Sequence, residues 1–305
     1  MGNQGRCKYI RKYDGNQCES IVEADSKFCI WHIESNEKQL RAVDGEEADL
    51  VEAYLEEANL IDANLEGADL KHAHLERAKL IDANLRDANL SQAQLKEANL
   101  DFARLEKVDL EKAQLKQAKM VGIHLERANL TGAQLEGAFL RNAYLEEATL
   151  NAASLKRANM TGVRLTRAKL IGTDLGDTSL IGACLEGADL TDANLQRAVL
   201  MRASFENAIL DNANLKEVVL VASKLNGSTL KNARKVTIME NPAWRQQLYW
   251  YKRPIYQVLK DISNEYKTLK HYYRNEGYQD KATEYHQKEM VFLRRATSEE
   301  KNTGD

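Results

Sequence analysis

Proline is nearly absent from this chain of 305 residues, which has only Pro242 and Pro254. Aromatic residues make up 7%, tryptophan occurs three times and cysteine four times. No apolar run approaches 18 residues, which excludes a membrane-spanning helix. The opening residues, Met1-Gly2-Asn3-Gln4-Gly5-Arg6-Cys7, lack the apolar centre of a signal peptide and point to the cytoplasm. Charge of one sign is missing too. With 43 basic and 46 acidic residues the net charge is −3, which exerts no overall pull toward nucleic acid or an anionic membrane.

The scarce residues are confined to the two ends. All three tryptophans, both prolines and ten of the twelve tyrosines lie outside residues 46–233. Three segments follow from this. Residues 1–45 hold three of the four cysteines and balance 7 basic against 7 acidic residues. Residues 46–233 carry 22 basic and 29 acidic residues, and residues 234–305 carry 14 and 10 with eight tyrosines.

The middle segment keeps a five-residue period. Every fifth position from Leu50 to Leu230 is Leu, except Met120, Met160 and Phe205. Two residues earlier stands Ala, replaced only by Val108, Ile123, Val163, Thr173, Thr178, Val218, Ser223 and Ser228. Asn or Asp is frequent between the two, as in Asn59, Asn64, Asp69 and Asn84. A helix would smear such residues around its circumference, and a strand would send every second pentad to the opposite face. A coiled coil needs a heptad or an eleven-residue repeat.

A backbone that turns a corner after each pentad satisfies the period. Four pentads then close a square coil, with Leu and Ala pointing inward and stacking on their counterparts 20 residues away. Coils spaced about 4.8 Å apart make roughly nine turns and a rod of roughly 43 Å. The Leu column, at ~2 kcal/mol per buried side chain, offsets much of the ordering entropy.

The run Ala58-Asn59-Leu60-Ile61-Asp62-Ala63-Asn64-Leu65-Glu66-Gly67 resembles the pentapeptide-repeat family. That resemblance implies a right-handed quadrilateral β-helix over 46–233, an all-β solenoid. It does not imply one function, because some members look like double-stranded DNA and bind type II topoisomerases such as DNA gyrase.

Columns on the outside of such a rod join residues 20 apart. One reads Glu66, Arg86, Glu106, Glu126, Glu146, Thr166, Glu186, Glu206, Asn226, the one sustained acidic run and the place to look for DNA mimicry. Beside it Lys107, Arg127 and Arg167 interrupt any uniform negative stripe. A third column becomes apolar toward its C-terminal end. There Ile181, Val199, Met201, Val219 and Val221 predict an exposed strip that either binds a partner or is covered by residues 234–305 as a cap.

Cys7, Cys18 and Cys29 are separated by ten residues each, and His32 follows Cys29 by two. Thiolates and a neutral imidazole suit four-coordinate zinc, and an odd local set of cysteines disfavours disulfides. The expectation is one structural zinc on Cys7, Cys18, Cys29 and His32. The spacing resembles small Cys3His modules suspected of binding DNA, which leaves nucleic acid open as a partner. Cys184, alone in the repeat, is read as incidental.

Beyond Asn241 the apolar positions Ile255, Val258, Leu259, Ile262, Tyr266 and Leu269 take helical spacing. They predict a helix from Pro254 to about Asn275, broken at Gly277, and a second from Gln279 to Arg295. This α-helical hairpin is expected to cap the rod ahead of a disordered tail. Its aromatic content, and similarity to dimeric family members, suggest a homodimer through these helices.

No phosphate-binding glycine loop, nucleophile elbow or paired His and carboxylate recurs. The expectation is a non-enzymatic protein-interaction scaffold, with a gyrase-directed DNA mimic and nucleic-acid binding through the zinc module as alternatives.

Overall fold

The computed structural model describes residues 47–220 without a break, then 223–225, 227–231 and 233. It also describes nine helical positions between 260 and 275, residues 279–302, and the pairs 5–6 and 21–22. The last two pairs form short strands β1 (Gly5–Arg6) and β2 (Ile21–Val22), joined antiparallel.

From Asp49 to Ile209 every fifth residue bridges in parallel to the residue 20 positions later. Four pentads therefore close one coil, as the five-residue period requires. Each side is so short that it contributes a single bridged residue, so the coil contains bridges rather than extended strands. Main-chain bonds run between coils on both sides of each bridge: Leu50 N donates to the Asp69 carbonyl at 2.8 Å, and Asp69 N donates to the Ala48 carbonyl at 2.9 Å.

Each corner is a four-residue turn from Leu to the next Ala, closed by bonds such as Ala53 N to the Leu50 carbonyl at 3.0 Å. At every corner from Glu47 to Glu217 the third residue has φ between 52 and 70°, the left-handed conformation that a type II turn places there. Glycine takes it freely, yet most of these residues are Glu, Asp, Lys, Arg or Asn. The conformation costs about 1–2 kcal/mol in a residue with a Cβ. A bond from that residue's own N–H to the next coil opposes the cost, as in Arg77 N to the Lys96 carbonyl at 2.9 Å.

Inside the coil the Leu and Ala columns are sealed, with Leu50 to Leu210 and the intervening Ala residues at 0–1% exposure. Phe205 fits the Leu column fully buried. Where Thr replaces Ala, its hydroxyl finds a carbonyl of the preceding coil: Thr173 Oγ1 donates to Leu150 at 2.8 Å and Thr178 Oγ1 to Leu155 at 2.9 Å. A buried hydroxyl without such a bond would destabilise the core.

The frequent Asn and Asp have two uses. Their Oδ1 accepts the N–H two residues on and steadies the corner, as between Asp69 and Lys71 at 3.2 Å. The Asn amides also donate to the Oδ1 of an Asn or Asp on the neighbouring coil, from Asn84 to Asn64 at 3.0 Å, Asn129 to Asp109 at 3.0 Å and Asn194 to Asp174 at 2.8 Å.

Helix α1 runs from Gln279 to Asn302. It starts where the sequence predicts and continues seven residues beyond Arg295, with Ala296 fully buried and Thr297 Oγ1 bonded to the Leu293 and Arg294 carbonyls. It packs against the helical residues before it. Ser263 Oγ donates to the Glu289 carbonyl at 3.1 Å, and Lys270 Nζ donates to Glu289 Oε2 at 2.6 Å. Burial opposes ionisation of Glu289, but hydrogen bonds from Lys270 and His286 outweigh it and hold its carboxyl below the usual range.

Candidate interaction surface

Four sides of a rigid coil present side chains at fixed intervals, so the columns decide what the surface can do. The residue just after each Leu is half-buried at most corners, whereas the one after that is mostly exposed. Five glutamates in the half-buried position, Glu76, Glu106, Glu126, Glu136 and Glu146, each tuck one Oε2 out of solvent without a hydrogen-bond partner.

The acidic column is neutralised from an unexpected direction. Around the corner from it runs the column Arg104, His124, Tyr144, Arg164, Cys184, Ser204, Lys224. Arg164 lies 2.6 Å from Glu146, His124 3.2 Å from Glu126 and Lys224 3.5 Å from Glu206. Arg86 and Arg104 approach Glu106 at 3.6 and 3.9 Å. The next column pairs within itself, Lys107 with Asp87 at 3.5 Å and Arg127 with Glu147 at 2.9 Å. A continuous negative strip does not form on this side.

The same column builds a stack that its one-letter pattern hides. The rings of His124 and Tyr144 lie 4.5 Å apart and within 4° of parallel, and the Arg164 guanidinium sits 5.3 Å over Tyr144. Cys184, next in line, is half-exposed with its Sγ 3.3 Å from Thr166 Oγ1.

Of the five residues of the expected apolar strip, Met201 and Val219 are each only 4% exposed although they stand at outward positions. They belong to one apolar cluster with Tyr266, Ala282, Tyr285 and Ala296 of the C-terminal helical region. Ile181 and Val199 are half-buried against that cluster. Val221 lies outside the described residues, as do Cys7, Cys18, Cys29 and His32.

Two large apolar side chains that the sequence reading passed over are the most exposed of their kind among the described residues, Phe102 at 55% and Phe139 at 45%. Phe102 stands at the corner after Leu100, and Phe139 on the side that holds Leu140, two coils further along the same side of the rod. Val121 occupies the corner of the coil between them. Among the described residues, Glu56, His74 and Glu76 form the one group of metal-ligating side chains, each offering a ligand atom within 4.8 Å of the other two. No described helix is long and apolar enough to cross a membrane.

A known family pattern agrees with this architecture. The pattern described as pentapeptide repeats matches residues 48–87, 73–111, 109–146, 128–167, 158–197 and 198–234. Among solved structures, the chain is similar to HetL, a pentapeptide repeat protein involved in heterocyst differentiation regulation in the cyanobacterium Nostoc sp. strain PCC 7120. Identity is 32%, over 57% of this chain and 86% of that one, with a TM-score of 0.35. It is also similar to QnrB1, a plasmid-mediated fluoroquinolone resistance protein, at 18% identity over 59% of this chain and 93% of that one, with a TM-score of 0.48. A third likeness is to a pentapeptide repeat protein of the Arabidopsis thaliana thylakoid lumen, at 23% identity over 35% of this chain and 75% of that one, with a TM-score of 0.21. No match is found among curated proteins. Repeats of this kind imply a right-handed quadrilateral β-helix, and the chain belongs to the pentapeptide-repeat family.

Proposed function

We propose that this protein is a non-enzymatic scaffold that binds another protein through one side of its coil. The observation that carries this reading is the exposure of Phe102 and Phe139, with Val121 between them, on three successive coils of a single side. Large aromatic side chains are the commonest anchors of protein interfaces. Here they are mounted on a backbone whose every coil is bonded to the next, so little conformational entropy is lost when a partner binds. The gyrase-directed reading is weaker, because Arg164, Lys224, Arg86 and Arg127 already pair with the carboxylates that a DNA mimic would need to present.

Within the same proposal, Cys7, Cys18, Cys29 and His32 hold one structural zinc in the N-terminal segment, since their donor set suits a closed tetrahedral site. The C-terminal helices pair two copies of the chain, a reading supported by Val291 and Leu293 of α1, exposed at 43% and 38%. A photo-crosslinking residue in place of Val121 tests the scaffold directly. It is expected to trap a protein from cell extract, and the same residue at Lys112 on the opposite side is expected to trap none. Equal trapping at the two positions would contradict the proposal.

A further inference from the structure

We infer that the partner presents an acidic segment with large apolar side chains to the side of the coil that bears Phe102 and Phe139. Its apolar groups rest on the two rings, and its carboxylates meet Lys119, Arg141, Lys156 and Arg157. The inference rests on the protein being a scaffold that binds through this side. The repeat gathers the four cations around one ring. Lys119 bridges to Phe139 from the coil before. Arg141 stands at the corner two residues after Phe139. Lys156 and Arg157 stand at the corner leading to Asn159, which bridges to Phe139 from the coil after. All four are exposed.

Other basic residues of the coil are already met: Arg77 by Glu57 at 2.8 Å, Arg127 by Glu147 at 2.9 Å and Arg164 by Glu146 at 2.6 Å. Among the described residues, no carboxylate forms an ion pair with Lys119, Arg141, Lys156 or Arg157. Lys156 and Arg157 act on Asp177 at a distance, but that carboxylate is bonded to Arg197 at 2.6 and 2.7 Å. The carboxylates on this side have partners of their own. Glu97 lies 3.6 Å from Lys96 and Glu136 3.8 Å from Lys116, and Asp101 Oδ1 accepts the Val121 N–H at 2.8 Å.

The four cations span two coil spacings, about 10 Å along the rod. That is close to the screening length of about 8 Å at physiological ionic strength, so their fields add at the surface. Like charges so gathered repel one another, and an anionic partner turns that repulsion into attraction and faster encounter. The side is also polarised. Phe139 sits among the cations, whereas Phe102 has Asp101 beside it and the paired Lys96 and Glu97 at the corner before. A nucleic-acid strand, charged at every step, would meet Asp101. A peptide with apolar residues at one end and carboxylates at the other matches both rings.

The test selects binders from a random dodecapeptide library displayed on phage. Panning uses the full chain, after depletion on Phe102→Ser/Phe139→Ser. The enriched peptides are then synthesised with a fluorophore, and their affinities are read by anisotropy. Wild type is compared with Lys119→Gln/Arg141→Gln/Lys156→Gln/Arg157→Gln and, on the opposite side, Arg167→Gln/Lys169→Gln. Circular dichroism checks folding; should the fourfold variant fail, Lys119→Gln/Arg141→Gln and Lys156→Gln/Arg157→Gln are measured separately. The enriched peptides are expected to be acidic and to bind the fourfold variant at least about tenfold more weakly, with Arg167→Gln/Lys169→Gln unchanged. Enriched peptides that are neutral or basic, or that bind the fourfold variant as they bind wild type, would overturn the inference and leave the scaffold standing. No enrichment after depletion would count against both. Oligothymidylate binding more tightly than any peptide, and lost on the fourfold variant, would overturn the acidic peptide in favour of nucleic acid.

Discussion

Phe102 lies across Gly122 of the next coil, so close that a Cβ at Gly122 would stand 2.8 Å from two of its ring atoms. Gly172 has nearly the same φ, +64° against +63°, but nothing within 4 Å of its would-be Cβ. Gly172→Ala is therefore expected to cost only the backbone term, about 1 kcal/mol. Gly122→Ala is expected to cost roughly 1 kcal/mol more, because the ring must move. Adding Phe102→Ala should remove that excess, as read by urea denaturation of the four proteins.

The Leu column has no slack. Leu140 is fully buried between coils that cannot collapse without breaking their backbone bonds. Leu140→Ala should lose about 3–5 kcal/mol, at the upper end of such substitutions, and Leu140→Met less than about 1.5 kcal/mol. Chemical denaturation of both variants checks this. A loss below 1 kcal/mol for Leu140→Ala would mean that the coil repacks.

Asp177 and Arg197 are bonded across adjacent coils at 2.6 and 2.7 Å. The hydrogen bond from Arg197 holds the Asp177 carboxyl below its ordinary range. A carboxyl lowered on folding adds stability that is present above its unfolded value and is lost as pH falls through the folded value. Wild type should therefore be more stable than Asp177→Asn at neutral pH, and the gap should close as the pH drops below about 4. Paired thermal melts across that range measure it, and a gap independent of pH would refute the coupling.

Met201 and Val219 are covered although they point out of the coil, and they share one apolar cluster with Tyr266 and Tyr285. Truncation after Ala233 should expose them, raising the binding of a hydrophobic dye and lowering solubility. Substituting Met201→Ser and Val219→Ser in the truncated chain should restore much of the solubility. Unchanged solubility on truncation would show that the C-terminal region does not act as a cover.

The coil was legible in the sequence because its period rests on residues with no other way to be arranged: Leu at every fifth position, Ala two before it. The left-handed conformation at its corners was not, because Glu57, Arg77 or Lys107 carry no mark of it as glycine would. The partners of the acidic column were hidden in a similar way. Comparing residues 20 apart finds its neighbours along the rod, but side chains that meet it also lie 2 or 18 residues away around a corner, as His124 and Arg164 do for Glu126 and Glu146. Glu56, His74 and Glu76 combine both offsets and so escaped notice. Phe102 and Phe139 were hidden because they stand at different positions within their pentads and share a side only once the coil is closed.

Whether this side of the coil contacts a protein is tested most directly by quantitative affinity capture from cell extract. Wild type is compared with Phe102→Ser/Phe139→Ser and with Lys112→Ser on the opposite side. At least one protein should be enriched on wild type and on Lys112→Ser at equal levels, and lost on the double variant. An identical set of captured proteins on all three would contradict a scaffold that works through Phe102 and Phe139.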